Sequence, residues 1–215
     1  MANLAVVVGT GAFGVPAPMP RWWDRLRALV AGLVLASGPE VSADVDPSVL
    51  ARARQADPDA FAELVTHYDG RLRALAFRLL RDAAGTDDVL QEAYVKAFRS
   101  LDRFRGDASL GTWLYRITYN ACLDELRRGR PVVPLEEASH HATQHSDPAD
   151  TAVARSDLDA ALGQLPPAQR AAVVLVDAQG MGYAEAGEVL GIPRGTVASR
   201  LNRAHASLRR LLAAP

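Results

Sequence analysis

From Asp46 onward the chain carries apolar residues at three- and four-residue intervals with no strand-like alternation, and this periodicity restricts that part of it to packed helices. Asp46-Pro47 and Asp57-Pro58 mark two helix starts. An Asp carboxylate can accept from the orphan amides of a first turn, and proline fits the first helical position without wasting a donor. After the second pair, Phe61, Leu64, Val65, Tyr68, Leu72, Leu75 and Leu79 keep one face apolar for several turns. Thr86 and Asp87 are read as opening the next helix, with Leu90, Tyr94, Ala97, Phe98 and Leu101 inside. The loop RFRGDAS leads to a fourth helix that buries Leu110, Trp113, Leu114, Ile117 and Ala121. The pattern predicts an all-α fold whose first helical domain spans residues 46–130.

The text then changes. PVVPLEEASHHATQHSDPADTAVAR has prolines, acids, histidines and small residues without periodicity, so residues 131–156 read as a flexible linker. His140, His141 and His145 lack a cysteine or carboxylate at ligand spacing, and a solvated linker explains them better than a metal site. Helical pattern resumes at Asp157, broken at Leu165-Pro166-Pro167, Gly180-Met181-Gly182 and Gly191-Ile192-Pro193. Residues 157–215 thus form a second small helical domain, a size at which each unit has only a modest core.

Residues 1–45 stand apart as an N-terminal extension, expected to be disordered or to hold a short amphipathic helix. Its LAVVVGTGAFG places Gly9, Gly11 and Gly14 in the dinucleotide-binding spacing. A helix start should follow to receive the pyrophosphate, yet Pro16, Pro18 and Pro20 remove the amides it would offer. The stretch RWWDRLRALVAGLVLASG puts Trp22, Leu26, Leu29 and Leu33 at helical spacing. It reads first as a loosely packed appendage, Met19 being an alternative start, then as a membrane- or partner-docking helix, and last as a secretory signal. Its apolar run is far below the roughly 18 residues that span a bilayer.

Bulk charge does not announce a nucleic-acid binder, since 24 Lys and Arg face 25 Asp and Glu for a net charge of −1. Local clustering does. Tyr183 to Leu190, a turn at Gly191, and a helix beginning at Pro193 have helix-turn-helix spacing. Val197, Leu201, Ala204 and Leu208 take the buried stripe of the second helix, which leaves Arg194, Thr196, Ser199, Arg200 and Arg203 outward where such a helix enters a major groove. The plainer alternative is a helical hairpin with a solvated basic face. Upstream, WLYRITYNACLDELRR interleaves Tyr115 and Tyr119 with Arg116, Arg127 and Arg128, a surface suited to stacking unpaired bases, although Trp113 and one tyrosine are expected in the core. The single cysteine, Cys122, excludes an internal disulfide and falls on an apolar face as a core thiol.

Duplex reading at one end and single-strand binding at the other is an unusual pair, and in it the sequence resembles the extracytoplasmic-function (ECF) sigma factors of bacterial RNA polymerase. The likeness covers roughly Asp46 to the C-terminus. DDVLQEAYVKAFRSLDRFRGDASLGTWLYRITYNACLDELRR is similar to the family's region two, and LPPAQRAAVVLVDAQGMGYAEAGEVLGIPRGTVASRLNRAHASLRR to its region four. The resemblance implies a cytoplasmic, non-catalytic protein without cofactor or small-molecule substrate. Its partners would be core RNA polymerase, through the β′ clamp and β flap, promoter DNA and an anti-sigma protein. Asp88, Gln91 and Glu92 would dock on the clamp coiled coil. Arg105 to Thr112 would capture an extruded minus-ten base, Trp113, Tyr115, Arg116, Asn120, Arg127 and Arg128 would line the melted strand, and Arg194, Thr196, Ser199, Arg200 and Arg203 would read the minus-thirty-five element. The linker would thread toward the RNA path, where Glu136, Glu137, Asp147 and Asp150 suit a basic channel. One departure is Ala186-Gly187 in the first helix of the helix-turn-helix, where Gly costs about 1 kcal/mol relative to Ala and is expected to weaken the second domain. The competing reading is a free-standing helix-turn-helix regulator that binds duplex DNA without polymerase. Because the extension lies outside the likeness, a chain beginning near Val41 is expected to direct promoter-specific transcription as well as the full chain; loss of run-off product on truncation would give the extension a role.

Overall fold

Both Asp-Pro pairs cap helices. The computed structural model describes residues 45–128 and 149–213, with side chains from residue 156 in the second segment. The glycine motif, the 21–38 stretch, the three linker histidines, and Glu136, Glu137 and Asp147 lie outside the described residues, as does the Asp150 side chain. Asp46 accepts from the Ser48 amide at 2.8 Å and begins α1, Pro47–Arg54. Asp57 accepts from the amides of Asp59 and Ala60 at 3.0 and 3.2 Å and begins α2, Pro58–Leu80. Its second oxygen takes the Arg52 guanidinium at 2.7 Å, so one carboxylate caps α2 and ties it to the end of α1. That Arg52 contact, then the Ala60 amide, holds the Asp57 carboxyl below its usual range.

The α2–α3 corner begins three residues before the expected Thr86. Arg81 ends α2 in the left-handed region, φ 57°, with its amide on the Phe77 carbonyl. Asp82 then caps α3, Ala83–Ser100, by accepting from Ala84 at 3.1 Å. Thr86 is instead buried within the first turn, its hydroxyl donating to the Asp82 carbonyl at 2.7 Å. The short side chain of Asp82 sits where the chain is already extended, so it reaches the free amides before Thr86 can. A 3₁₀ turn, Leu101–Arg103, and a loop lead to α4, Leu110–Arg128. Leu64, Leu72, Leu75, Leu79, Leu90, Leu101 and Leu114 fill the space among α2, α3 and α4, each at most 2% exposed. On the rim the Tyr94 hydroxyl donates to Asp69 at 2.7 Å, and Arg73 joins Asp69 to Asp87. Cys122 lies fully buried in this core, where desolvation pushes its thiol up to about 12.

In the second segment α5 runs Ala149–Gln164, beginning inside the stretch expected to be linker. Asp147-Pro148 is a third Asp-Pro pair, and alanines follow it, so the start signal was present without a long apolar stripe behind it. Pro167 opens α6, Pro167–Val173, which continues into one π-helical turn, Val174–Ala178. That turn closes with the amide of Met181 on the Leu175 carbonyl at 3.1 Å and Gly180 at φ +72°. Helices α7, Tyr183–Leu190, and α8, Arg194–Leu212, follow. Val197, Leu201, Ala204 and Leu208 are all buried, as the stripe predicts, in the same core as Leu158, Leu175 and Val189. His205 on α8 meets Asp177 of the π turn at 2.6 Å. Among the described residues every regular element is helical.

Gly187 corrects an expectation. A Cβ built there would lie 2.8 Å from the Ile192 carbonyl oxygen, a backbone atom of the turn. The Gly187 carbonyl in turn accepts from the Ile192 amide at 3.0 Å and from the Gly191 amide. The glycine therefore lets the turn pack down on α7, and its propensity cost is the lesser term. Gly187→Ala is expected to gain about 1 kcal/mol of helix propensity and lose about 1–3 to overpacking, a net destabilisation. Thermal unfolding followed by circular dichroism checks this; a raised Tm would show that the close approach does not matter.

Candidate nucleic-acid and partner interfaces

The loop before α4 and α4 itself carry the residues expected to meet a DNA strand. Arg105 is 85% exposed beside Asp107 at 3.7 Å, and Gly106 turns the loop at φ +80°. Ser109 begins α4 by accepting from the Thr112 amide at 3.0 Å. Along the helix Arg116, Asn120 and Arg127 recur at four- and seven-residue steps and are exposed, a stripe open to solvent. Trp113 is half-buried, with its ring 5.4 Å from that of Phe104. Thr112 and Tyr115 are 3% and 2% exposed. The expected strand surface is thus divided: Arg105, Arg116, Asn120, Arg127 and Arg128 are open, while Thr112 and Tyr115 face the second segment.

What covers them is specific. The Thr112 hydroxyl donates to Glu185 on α7 at 2.8 Å, and the Tyr115 hydroxyl donates to Gln179, just after the π turn, at 2.8 Å. Burial raises the Tyr115 phenol well above its ordinary value. Tyr119, also buried, feels the Arg200 charge from α8, which opposes the rise that burial causes. Beside this junction lies a cleft of about 350 Å³, bordered by Leu50, Tyr68, Arg71, the 104–112 loop, Met181 and Glu185. Arg71 sits over the Tyr68 ring, 5.3 Å from its centroid, and gives the cleft a cation beside an aromatic face. Sequence reading missed Tyr68, Arg71, Gln179 and Glu185 here. Tyr68 belongs to an ordinary core stripe and the others are single polar residues, so periodicity carries no signal for them.

On α3, Asp88 and Gln91 are exposed and Glu92 is half-buried. Val95, one turn further and 44% exposed, adds an apolar spot to the same face. Glu92 bridges Lys96 at 2.9 Å and Arg128 at 3.5 Å, and Arg128 also takes Glu125 at 2.9 Å. Lys96 first, with Arg128 adding to it, holds the Glu92 carboxyl below its usual range. The structure thereby joins one residue expected to dock a protein to one expected to touch DNA. Arg128 stands at the boundary between the two surfaces.

In the helix-turn-helix, Gly191 takes the left-handed turn at φ +65° and Pro193 stands at the N-cap of α8. Arg194 and Arg203 are exposed; Thr196, Ser199 and Arg200 are half-buried. Ser199 donates to the Thr196 carbonyl at 3.0 Å, and the Arg203 Nε donates to the Ser199 carbonyl at 3.3 Å, so Arg203 lies back along the helix. No helix among the described residues is long and apolar enough to cross a membrane, and none of their His, Cys, Asp and Glu groups is arranged to hold a metal.

Two family descriptions match in the order the geometry requires: Sigma-70 region 2 over residues 64–131 and Sigma-70, region 4 over residues 155–208. The chain is 41% identical over 169 residues to the ECF RNA polymerase sigma factor SigM of Mycobacterium tuberculosis, covering 78% of this chain and 84% of that one. Its fold is similar to that of CnrH in complex with the cytosolic domain of CnrY, with TM-score 0.61, 29% identity, and coverage of 79% of this chain and 97% of that one. It is also similar to the sigma factor RpoE in complex with the anti-sigma factor NepR from Bartonella quintana, with TM-score 0.59, 30% identity, and coverage of 71% and 96%. With both regions matched in sequence order on an all-helical frame, the chain belongs to the ECF sigma factors of RNA polymerase.

Proposed function

We propose that the chain is a promoter-specificity subunit: it binds core RNA polymerase, directs initiation at a set of promoters, and is restrained by an anti-sigma protein. It does this in the cytoplasm, where polymerase and promoter meet, and without catalysis of its own. The observation that carries the reading is the presence in one chain of two separate basic surfaces, the open Arg116, Asn120 and Arg127 stripe beside an aromatic-lined cleft, and the exposed Arg194 and Arg203 with half-buried Arg200 on a helix-turn-helix. A duplex reader alone needs only the second.

In this reading α8 lies in the major groove of the minus-thirty-five element, where Arg194 and Arg200 reach bases or phosphates. Arg105 to Thr112, with the cleft behind it, takes an extruded minus-ten base. Trp113, Tyr115, Arg116, Asn120, Arg127 and Arg128 follow the melted strand, so the stacking lost on extrusion, a few kcal/mol, is offset by a fixed aromatic and cationic surface. Asp88, Gln91 and Glu92, with Val95 beside them, meet the β′ clamp, and the second unit meets the β flap. Run-off transcription from genomic promoters with purified core polymerase tests the whole: promoter-specific product only when the chain is added supports it, and duplex binding without polymerase-dependent initiation supports the free-standing regulator.

Charge reversal of Asp88 and Glu92 to Lys is expected to abolish holoenzyme formation with helicity intact, while Glu92→Gln keeps it; normal core binding by the double variant in gel filtration removes the docking assignment. Arg200→Ala is expected to weaken duplex promoter binding by about 1–3 kcal/mol if the guanidinium reads a base, and to relax preference at that position. An unchanged affinity at fixed salt, read by fluorescence anisotropy, moves the base contact elsewhere on α8.

A further inference from the structure

The polar groups that α8 holds ready for a base are not the ones its sequence pattern turns outward. Arg203 lies along the helix itself, with Nε donating to the Ser199 carbonyl at 3.3 Å and Nη2 to the Ser199 hydroxyl at 3.4 Å. That hydroxyl in turn donates to the Thr196 carbonyl at 3.0 Å. Arg200 is half-buried, and its charge reaches Tyr119 on α4. Asn202, which the pattern did not single out, is exposed, and among the described residues its side chain makes no hydrogen bond.

The face opposite the buried stripe of Val197, Leu201, Ala204 and Leu208 is low at its centre. At the helical period its midline runs through Gly195, Ser199 and Ala206, and Asn202 and Arg203 stand about 50° to either side of it. Gly195 and Ala206 are exposed, and neither carries an atom beyond Cβ. A helix with so low a midline approaches the floor of a major groove closely, and a short side chain beside that line then reaches a base edge. Long arginines on the flanks reach the phosphates of the groove walls instead. The chemistry of the short side chain decides which base. A carboxamide pairs one acceptor with one donor, and adenine shows the complementary pair, the N6 amino group and N7, on its major-groove edge. Guanine shows two acceptors there, thymine an acceptor and a methyl group, and cytosine a lone donor, so only adenine satisfies both atoms.

We propose that Asn202 is a specificity-determining residue of the minus-thirty-five contact: its carboxamide reads one adenine, accepting from N6 and donating to N7, while the arginines of α8 hold the phosphates. The proposal rests on the reading of α8 as the major-groove helix. Because Arg203 is folded against Ser199, the base is read on the Asn202 side of the midline. A bidentate pair of this kind gives about a fivefold to hundredfold preference for its base.

The test uses holoenzyme assembled from the full chain and core polymerase. The template is a promoter taken from the run-off experiment on genomic DNA, with its minus-thirty-five element randomised, and the templates retained in holoenzyme complexes are sequenced. Wild type is expected to enrich adenine, on one strand or the other, about fivefold to a hundredfold at one position. Asn202→Ala is expected to lose that preference and keep the others. Asn202→Arg is expected to exchange it for guanine, which offers O6 and N7 to a guanidinium. Both substitutions fall at an exposed site and bring in a better helix former, so the fold is retained, as circular dichroism checks. A merely structural role would weaken all templates alike and leave the preferred bases unchanged. An adenine preference that survives Asn202→Ala therefore overturns the assignment, as does uniform weakening with the same base profile in both variants. A wild-type profile without base preference anywhere in the element overturns the reading of α8 itself.

Discussion

The guanidinium of Arg170 joins helix ends from both units. Arg170 is removed from water with no carboxylate among its hydrogen-bond partners, a placement that costs several kcal/mol for an isolated ion. Four main-chain carbonyls take its donors instead, and they come from the ends of two helices. Helix C-termini concentrate negative partial charge, about half an elementary charge each, so two of them converging on one cation replace the missing counterion. Burial first, and then the nearby Arg81 charge, lower the Arg170 pKa from its ordinary value, a direction that reflects how little solvent remains. The left-handed Arg81 has the same logic. Glycine is the usual residue at such a cap, and an arginine there accepts a backbone penalty of about 1–2 kcal/mol in a position from which its side chain reaches α5.

This junction changes the meaning of the residues around it. Arg116, Asn120 and Arg127 lie on a face that the second unit leaves open, and Thr112 and Tyr115 lie on the adjoining face that it covers. The same helix therefore leaves its cationic and amide side chains exposed, while its Thr112 and Tyr115 hydroxyls are taken up by the second unit. Glu92 and Arg128 form a second link of this sort between surfaces, though one exposed to solvent and worth little as a stabilising pair.

The helix-turn-helix shows how a local penalty can be a tertiary requirement. Gly187 is unfavourable in an isolated helix, and its absent side chain is what admits the Ile192 carbonyl at the turn. With Gly191 left-handed, the chain then reverses tightly enough for Val197 and Leu201 of α8 to bury against the rest of the unit. The π turn before it acts similarly: one extra residue in the helical ladder carries Gln179 into the buried junction with α4.

Much of this was legible from residues alone, because helices announce themselves locally. Asp46 and Asp57 satisfy first-turn amides ahead of their prolines, and the apolar stripes of α2, α4 and α8 repeat with the helical period, so helix identity, the helix-turn-helix and the exposure of Arg194 and Arg203 follow from spacing, whereas Thr196, Ser199 and Arg200 are half-buried. The start of α3 at Asp82 and of α5 at Ala149 escaped, since a cap depends on where the preceding chain leaves its amides and a short alanine-rich helix has no stripe to read. What only the tertiary structure decided is which polar residues of α4 are free. Arg170, Gln179 and Glu185 sit in their own segments as ordinary polar side chains, and their partners Leu79, Tyr115 and Thr112 are 91, 64 and 73 residues away. Hydrogen bonds across such separations leave no periodic trace in a sequence, because their geometry is set by the packing of whole helices and not by any local spacing.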